Sequence, residues 1–188
     1  MPELDSTPEP WRSFLRELDG LITAPVSLHC IGGFVVTMLY GLSRPTADID
    51  FIEIAPRTAW QAIREIAGPG GELHLKYGIY LELVTVAQPP INYESRLIEM
   101  FPCGLTNLYL MALDPYDLAL TKLQRNGTRD RDDVRFLAKE TVFDLNVFRD
   151  RYENELRSYV TNPDRDDLTM ELWIEIIEED RQAAREHS

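Results

Sequence analysis

The sequence predicts an α+β protein in which a mixed sheet flanked by helices is followed by a helical C-terminal part. Up to about residue 113, strand patterns alternate with helical patterns, whereas from Asp114 onward only helical patterns remain. A chain of 188 residues is long enough for one good core, or for one domain with a small helical appendage. We therefore expect an α/β domain over residues 1–113 and a helical region over residues 114–188.

The elements of the first part follow one another in a clear order. Apolar residues recur at helical spacing over residues 11–22, and a short apolar strand follows over residues 26–31. Gly32-Gly33 then precedes a buried helix over residues 33–42, and Pro56 begins another helix because proline suits the first helical turn. The other strands are predicted at residues 48–54, at 79–86 and, as a pair, within 96–112.

The helical part begins at Asp114, which is suited to cap a helix with Pro115 in its first turn. The bulk composition is that of an ordinary globular protein, with 44% hydrophobic and 27% charged residues. No apolar stretch is long enough to cross a bilayer, the N-terminal residues do not resemble a signal peptide, and two cysteines are too few for a disulfide framework. We therefore expect a cytoplasmic protein with no membrane partner.

Charge limits the partners that the chain is suited to bind. The net charge of -13 argues against a broad nucleic-acid-binding surface, because such surfaces are basic. Basic residues are nevertheless concentrated over residues 121–135. Such a local cluster fits phosphate binding at a single site.

Asp48 and Asp50 open the predicted strand at residues 48–54. Side chains two residues apart on a strand share a face, so both carboxylates project the same way, roughly 7 Å apart along the chain. Two like charges side by side are costly unless a cation lies between them, and an all-oxygen pair suits Mg²⁺, which takes further ligands from substrate phosphates. The pair predicts a site for a metal-bound nucleotide; the alternative is an exposed strand end with two solvated aspartates.

Gly32-Gly33 lies between a predicted strand and a predicted helix. Glycine lets the backbone turn sharply and approach a ligand closely, and a helix that follows such a turn aims free N–H groups at a phosphate. A double glycine alone is usually a plain tight turn. Its combination with Arg44, Thr46 and the acidic pair is more specific and predicts a phosphate site.

Glu82 is the candidate for a third carboxylate. It lies in the middle of a predicted strand between apolar neighbours, where a lone acid is unfavourable without a partner. Two-metal phosphoryl-transfer sites use carboxylates to hold cations about 4 Å apart. We favour a role as metal ligand or base for Glu82; the alternative is that this face of the strand, with Tyr80 and Val84, meets water.

A second candidate cluster lies in the helical part. Lys122 and Arg125 are three residues apart on one side of a predicted helix, where both are placed to reach nucleotide phosphates. Asp130 and Asp133 begin the next helix and are placed to orient the two basic residues. The alternative is an ordinary solvated turn whose surface ion pairs contribute little to stability.

Together these motifs resemble the nucleotidyltransferase superfamily with the polymerase-beta-like catalytic fold, and within it the small bacterial proteins related to the AbiEii toxin family and to a neighbouring uncharacterised family of similar plan. The resemblance covers roughly residues 26–137. It rests on Gly32-Gly33, on Arg44-Pro-Thr46-Ala-Asp48-Ile-Asp50, on the helix Asp117-Leu-Ala-Leu-Thr-Lys122-Leu, and on the Arg/Asp-rich turn at 129–133. Two departures are that Gly33 replaces a serine seen in many members, and that Glu82 stands where an aspartate is usual.

The resemblance implies an enzyme that uses Mg²⁺ or Mn²⁺ to move a nucleoside monophosphate from a nucleoside triphosphate, such as ATP, to an acceptor hydroxyl. Residues 1–113 would be its catalytic domain. The implied catalytic and metal-binding residues are Asp48, Asp50 and Glu82. The implied nucleotide-binding residues are Gly32, Gly33, Arg44, Thr46, Lys122 and Arg125, with Asp130 and Asp133 in support.

The resemblance leaves the acceptor open. In related toxins the acceptor is the 3′ end of tRNA, which would make this chain the toxin of a toxin–antitoxin pair with a cognate antitoxin as partner. In other relatives it is a protein hydroxyl or an antibiotic. A rival hypothesis is a non-catalytic nucleotide-binding or antitoxin-like regulatory module of the same fold. A relative without activity would tend to lose one of the two aspartates, and both Asp48 and Asp50 are present.

Overall fold

The computed structural model describes residues 3–186, which form two compact units. The first unit comprises the described residues up to Thr85 together with Leu97–Leu113. The second comprises Val86–Arg96 and the described residues from Asp114 onward. Whether residues 1–113 and 114–188 are separate domains stays a prediction.

The first unit contains a five-stranded mixed sheet, which confirms the predicted fold class. The strands are β1 (Val26–Cys30), β2 (Asp48–Ala55), β3 (Tyr80–Leu83), β4 (Ile98–Glu99) and β5 (Leu108–Ala112). Their spatial order is β3-β2-β1-β5-β4, so β1 is the central strand. It pairs antiparallel with β2 and parallel with β5, while β2 and β3 are parallel and β4 and β5 antiparallel.

Helices flank this sheet: α1 (Trp11–Leu21), α2 (Gly32–Met38), α3 (Trp60–Ala67) and α4 (Glu72–Tyr77). Helix α1 confirms the predicted helical spacing, because its apolar face, including Phe14 and Leu18, is fully buried in the core. Helix α4 was not predicted, since six residues between Gly71 and Gly78 are too few for a periodic pattern. Pro56 precedes a short 3₁₀ turn, and α3 begins only after that turn.

Helix α2 is shorter than the predicted helix over residues 33–42 because Gly41 ends it. Gly41 has a φ of +84°, in the left-handed region that favours glycine. Its N–H donates to the carbonyl of Thr37 at 3.2 Å, and the N–H of Leu42 donates to the carbonyl of Val36 at 3.1 Å. This pair of bonds satisfies the last free carbonyls and closes the helix.

The second unit is helical from Asp114 onward across the described residues, as predicted. Its α-helices are α5 (Pro115–Leu120), α6 (Thr128–Glu140), α7 (Leu145–Arg151) and α8 (Pro163–Glu186). The Asp114 carboxylate accepts the N–H of Asp117 at 2.9 Å, which confirms the predicted cap. No helix within residues 3–186 is long and apolar enough to span a membrane.

A buried ion network in the second unit was not predicted. Asp117 is fully buried and accepts hydrogen bonds from Arg96 at 2.8 and 3.1 Å and from Arg151 at 2.9 Å. Arg96 also donates to Glu155 at 2.8 Å. The network therefore joins the segment Val86–Arg96 to helix α5, to helix α7 and to the π-helical segment Tyr152–Leu156 that follows α7.

Candidate functional site

The register of two neighbouring strands brings the three predicted carboxylates together. Strands β2 and β3 are parallel, and Asp50 lies directly opposite Glu82. Side-chain alternation buries Ile49 and Phe51 in the core and leaves Asp48 and Asp50 on the other face. One oxygen from each of the three carboxylates lies within 4.8 Å of the other two.

The three carboxylates fit a divalent cation. Asp48 and Asp50 are half-buried and Glu82 is exposed, so the group is open to solvent on one side. Two unit charges at such a distance repel by about 3 kcal/mol at the effective dielectric of a protein surface, and a bound cation reverses that cost. Carboxylate oxygens are the ligands that Mg²⁺ and Mn²⁺ prefer. Within residues 3–186 this is the one set of three Asp, Glu, His or Cys groups placed to hold a metal ion.

The turn between β1 and α2 packs directly against Asp50. Gly32 has a φ of +76°, and a Cβ atom at this position would lie 2.2 Å from the Oδ2 atom of Asp50. The N–H of Ile31 donates to the backbone carbonyl of Asp50 at 2.8 Å. Only glycine fits this position, because any side chain would be strained and would displace the carboxylate.

The predicted nucleotide-binding residues of the first unit lie beside the acids. The Thr46 hydroxyl donates to the Asp48 carboxylate at 2.7 Å, which orients that carboxylate. A Cβ atom at Gly33 would lie 3.1 Å from the Arg44 guanidinium and 3.4 Å from the Thr46 hydroxyl. A glycine turn, a guanidinium and a carboxylate cluster thus share one small region, which suits nucleotide phosphates with a divalent cation.

Comparison with known families gives the class of this chain. Residues 14–181 match the family described as "Nucleotidyltransferase of unknown function (DUF6036)". The chain belongs to this nucleotidyltransferase family. The match covers most of the chain and includes the acidic triad, so it supports the resemblance to the nucleotidyltransferase superfamily and a triphosphate substrate. No curated protein and no solved structure matches the chain.

Tyr80 lies near the acids, and sequence reasoning assigned it no role in the site. Tyr80 lies opposite Asp48 on β3, and its ring contacts His74 at a centroid distance of 4.9 Å. Burial raises the pKa of the Tyr80 phenol, and the three carboxylates raise it further, so the hydroxyl remains a donor. Burial also raises the pKa of the Cys30 thiol, with a contribution from Asp50, which keeps this cysteine unreactive. The signal for Tyr80 was its position two residues before Glu82 on the same strand.

The remaining predicted site residues lie in the second unit, where they contact one another. The Lys122 ammonium is 2.8 Å from Asp133 and 3.9 Å from Asp130, and its side chain is only 4% exposed. Arg125 donates two hydrogen bonds to Asp130, at 2.8 and 2.6 Å, and its side chain is 73% exposed. The phosphate-binding role of Lys122 and Arg125 stays a prediction.

Proposed function

We propose that this protein transfers a nucleoside monophosphate from a nucleoside triphosphate to an acceptor hydroxyl, with Mg²⁺ or Mn²⁺ held by Asp48, Asp50 and Glu82. The observation that carries the proposal is the approach of these three carboxylates to within 4.8 Å on one open face of the sheet. Membership of a nucleotidyltransferase family supports the class of reaction.

The residues around the acids would act by positioning. The absence of a side chain at Gly32 leaves room for the Asp50 carboxylate, and the Thr46 hydroxyl orients that of Asp48. A divalent metal, when bound, would neutralise charge on the triphosphate and in the transition state. The N–H groups at Gly32 and Gly33 would hold phosphate oxygens, and the acceptor oxygen would attack the α-phosphorus as pyrophosphate leaves in line.

Arg44 would add positive charge to the phosphate site, because its guanidinium lies against Gly33. In the second unit, Lys122 and Arg125 stay proposed phosphate-binding residues, and Asp130 and Asp133 contact them directly. Glu82, the most exposed of the three acids, would either ligate the metal or accept the proton of the attacking hydroxyl.

We propose the 3′ end of tRNA as the acceptor and a cognate antitoxin as the protein partner, on the resemblance to proteins related to the AbiEii toxin family. The net charge of -13 weakens the case for this acceptor, but a short single-stranded end needs only a few local basic contacts. We expect the expressed wild type to arrest growth and the Asp48→Asn variant to have no such effect.

The test is label transfer. The protein is incubated with each labelled triphosphate, Mg²⁺ or Mn²⁺, and in separate arms total tRNA, protein extract or an aminoglycoside. We expect label on tRNA, loss of transfer on chelation, and loss in Asp48→Asn and Asp50→Asn. The matched control is Asp132→Asn, an exposed aspartate on α6.

Each other outcome has a definite meaning. Full activity in Asp48→Asn, or activity that survives chelation, would remove the metal site from the reaction. Label on protein or on the antibiotic would keep the transfer and replace the acceptor. Binding of triphosphate without transfer to any acceptor would favour the non-catalytic module.

A further inference from the structure

A groove of about 710 Å³ lies between helices α6 and α8 of the second unit. Its floor includes the apolar residues Phe136 and Ile177. Its rim carries four basic residues, Arg135, Lys139, Arg181 and Arg185. Asp180 is the one acidic residue in the lining. The lining is therefore positively charged, although the chain has a net charge of -13, and we call it the basic groove.

Arg135, Lys139 and Arg185 are exposed, whereas Arg181 is half-buried and donates to the Phe143 carbonyl. Arg135 donates two hydrogen bonds of 2.7 Å to Asp180, and the Arg135 side chain is 49% exposed. The Lys139 side chain is 81% exposed and lies 3.6 Å from Glu140. Exposed ion pairs of this kind contribute little to stability, so an incoming anionic group can replace or share them at small cost.

The same unit carries a surface of complementary chemistry. On α8, Leu168 and Leu172 are four residues apart and are 62% and 54% exposed. Glu171 and Glu175, each three residues after one of these leucines, are also exposed. Residues at these spacings share one side of a helix, so α8 presents an acidic leucine face made of these four residues.

We propose that the basic groove binds the acidic leucine face of α8 from a second copy of this chain. The leucines would cover the apolar floor at Phe136, while the glutamates would pair with the rim cations. An apolar floor favours an amphipathic helix over nucleic acid, whose phosphates would meet only the rim. Each copy offers one groove and one face, so reciprocal docking closes a dimer and one-way docking gives longer assemblies.

The test measures mass by sedimentation equilibrium over a range of protein concentrations at low and high ionic strength. We expect the wild type to associate, and more weakly at high ionic strength because salt screens the charge pairs. Lys139→Glu/Arg185→Glu should remain monomeric, and so should Glu171→Lys/Glu175→Lys. A mixture of these two variants should associate again, because each supplies the surface that fits the other.

The matched control is Arg129→Glu/Arg149→Glu, which makes the same charge change at exposed positions outside both surfaces and should associate like the wild type. Leu168→Ser/Leu172→Ser removes the apolar part of the face without a charge change and should also be monomeric. Circular dichroism checks that each variant remains folded.

Three results would overturn the proposal. The first is a wild type that stays monomeric at every concentration. The second is association that survives Lys139→Glu/Arg185→Glu, or a variant mixture that fails to associate. The third is a monomeric wild type that binds a short RNA and loses that binding in Lys139→Glu/Arg185→Glu, which would make the groove a nucleic-acid surface.

Discussion

The two units arrange their carboxylates in opposite ways. In the first unit, Asp48, Asp50 and Glu82 approach one another to within 4.8 Å, and none of them is fully buried. In the second unit, Asp117 and Asp133 are at most 1% exposed, and each contacts a basic side chain directly. The first arrangement crowds like charges at a solvent-facing site, whereas the second pairs opposite charges inside the core.

This difference in environment predicts which acids serve activity and which acids stabilise the fold. Crowded carboxylates cost stability in the absence of a cation, so their removal should harm activity and spare the fold. A buried, paired carboxylate is costly to leave alone, so removal of its partner should harm the fold first. Substitutions in each unit can therefore test whether its acids serve activity or the fold.

The largest expected effect is on activity in the acidic site. We expect Asp48→Asn to lower the rate of nucleotidyl transfer about a thousandfold, because the proposed cation contributes several kcal/mol in the transition state. Its free energy of unfolding in chelator should equal or slightly exceed that of the wild type. Mn²⁺ should raise the melting temperature of the wild type more than that of the variant. A variant that is destabilised and fully active would make Asp48 a structural residue.

The next effect is on stability in the second unit. Lys122→Met should lower the free energy of unfolding by about 3 kcal/mol, because it leaves the buried Asp133 without its nearest cation. The change Arg125→Met should cost less, because Asp130 keeps the N–H of Gly127 at 2.9 Å and the Lys122 ammonium at 3.9 Å. Urea unfolding measures both. Unchanged stability with lost transfer in Lys122→Met would instead favour the phosphate-binding role.

Substitutions at two glycines test whether the turn before α2 positions the Asp50 carboxylate. Gly32 and Gly41 both have left-handed φ values, and an added methyl group strains either backbone by about 1–2 kcal/mol. Only at Gly32 would that methyl group meet the Asp50 carboxylate, since the Cβ position at Gly41 has open space. Gly32→Ala should therefore lose transfer activity and metal affinity that Gly41→Ala retains. Equal activity in the two variants would show that the turn does not position Asp50.

Local sequence patterns predicted the parts of the site that neighbouring residues determine. Asp48 and Asp50 share a face because of strand alternation, and Gly32 is required by a turn that follows an apolar strand. The approach of Glu82 depends on the parallel register of β2 and β3, which only tertiary structure specifies. Its assignment from sequence rested on the mid-strand position of an acid.

The features that were missed depend on contacts distant in sequence. Arg96 joins its segment to Asp117 through a pair 21 residues apart, and no local pattern marks such a partner. The burial of Lys122 follows from the way α6 packs against the end of α5, whereas its spacing would be the same in a solvated turn. Helix α4 is too short for periodicity to identify.

The smallest expected effect is on the pH dependence of stability, and it concerns Asp130 in the second unit. Burial alone would raise its pKa, but hydrogen bonds from Arg125 and from the N–H of Gly127 hold the pKa of Asp130 below its ordinary value of 3.8. A folded-state pKa below the unfolded one stabilises the fold above about pH 4, and this contribution is lost as the pH falls through the folded value.

Asp130→Asn should therefore cost about 1 kcal/mol near neutral pH, a small figure because Arg125 is well solvated, and the difference from the wild type should shrink in acid. Urea unfolding over a pH series measures this, with Asp132→Asn on the same helix as the control that should show no such trend. A penalty for Asp130→Asn that stays constant into acid would come from altered hydrogen-bond geometry at Arg125 and Gly127 and not from the charge. The buried acids of the second unit would then stabilise the fold through geometry, and the contrast with the crowded acids of the first unit would not be an electrostatic one.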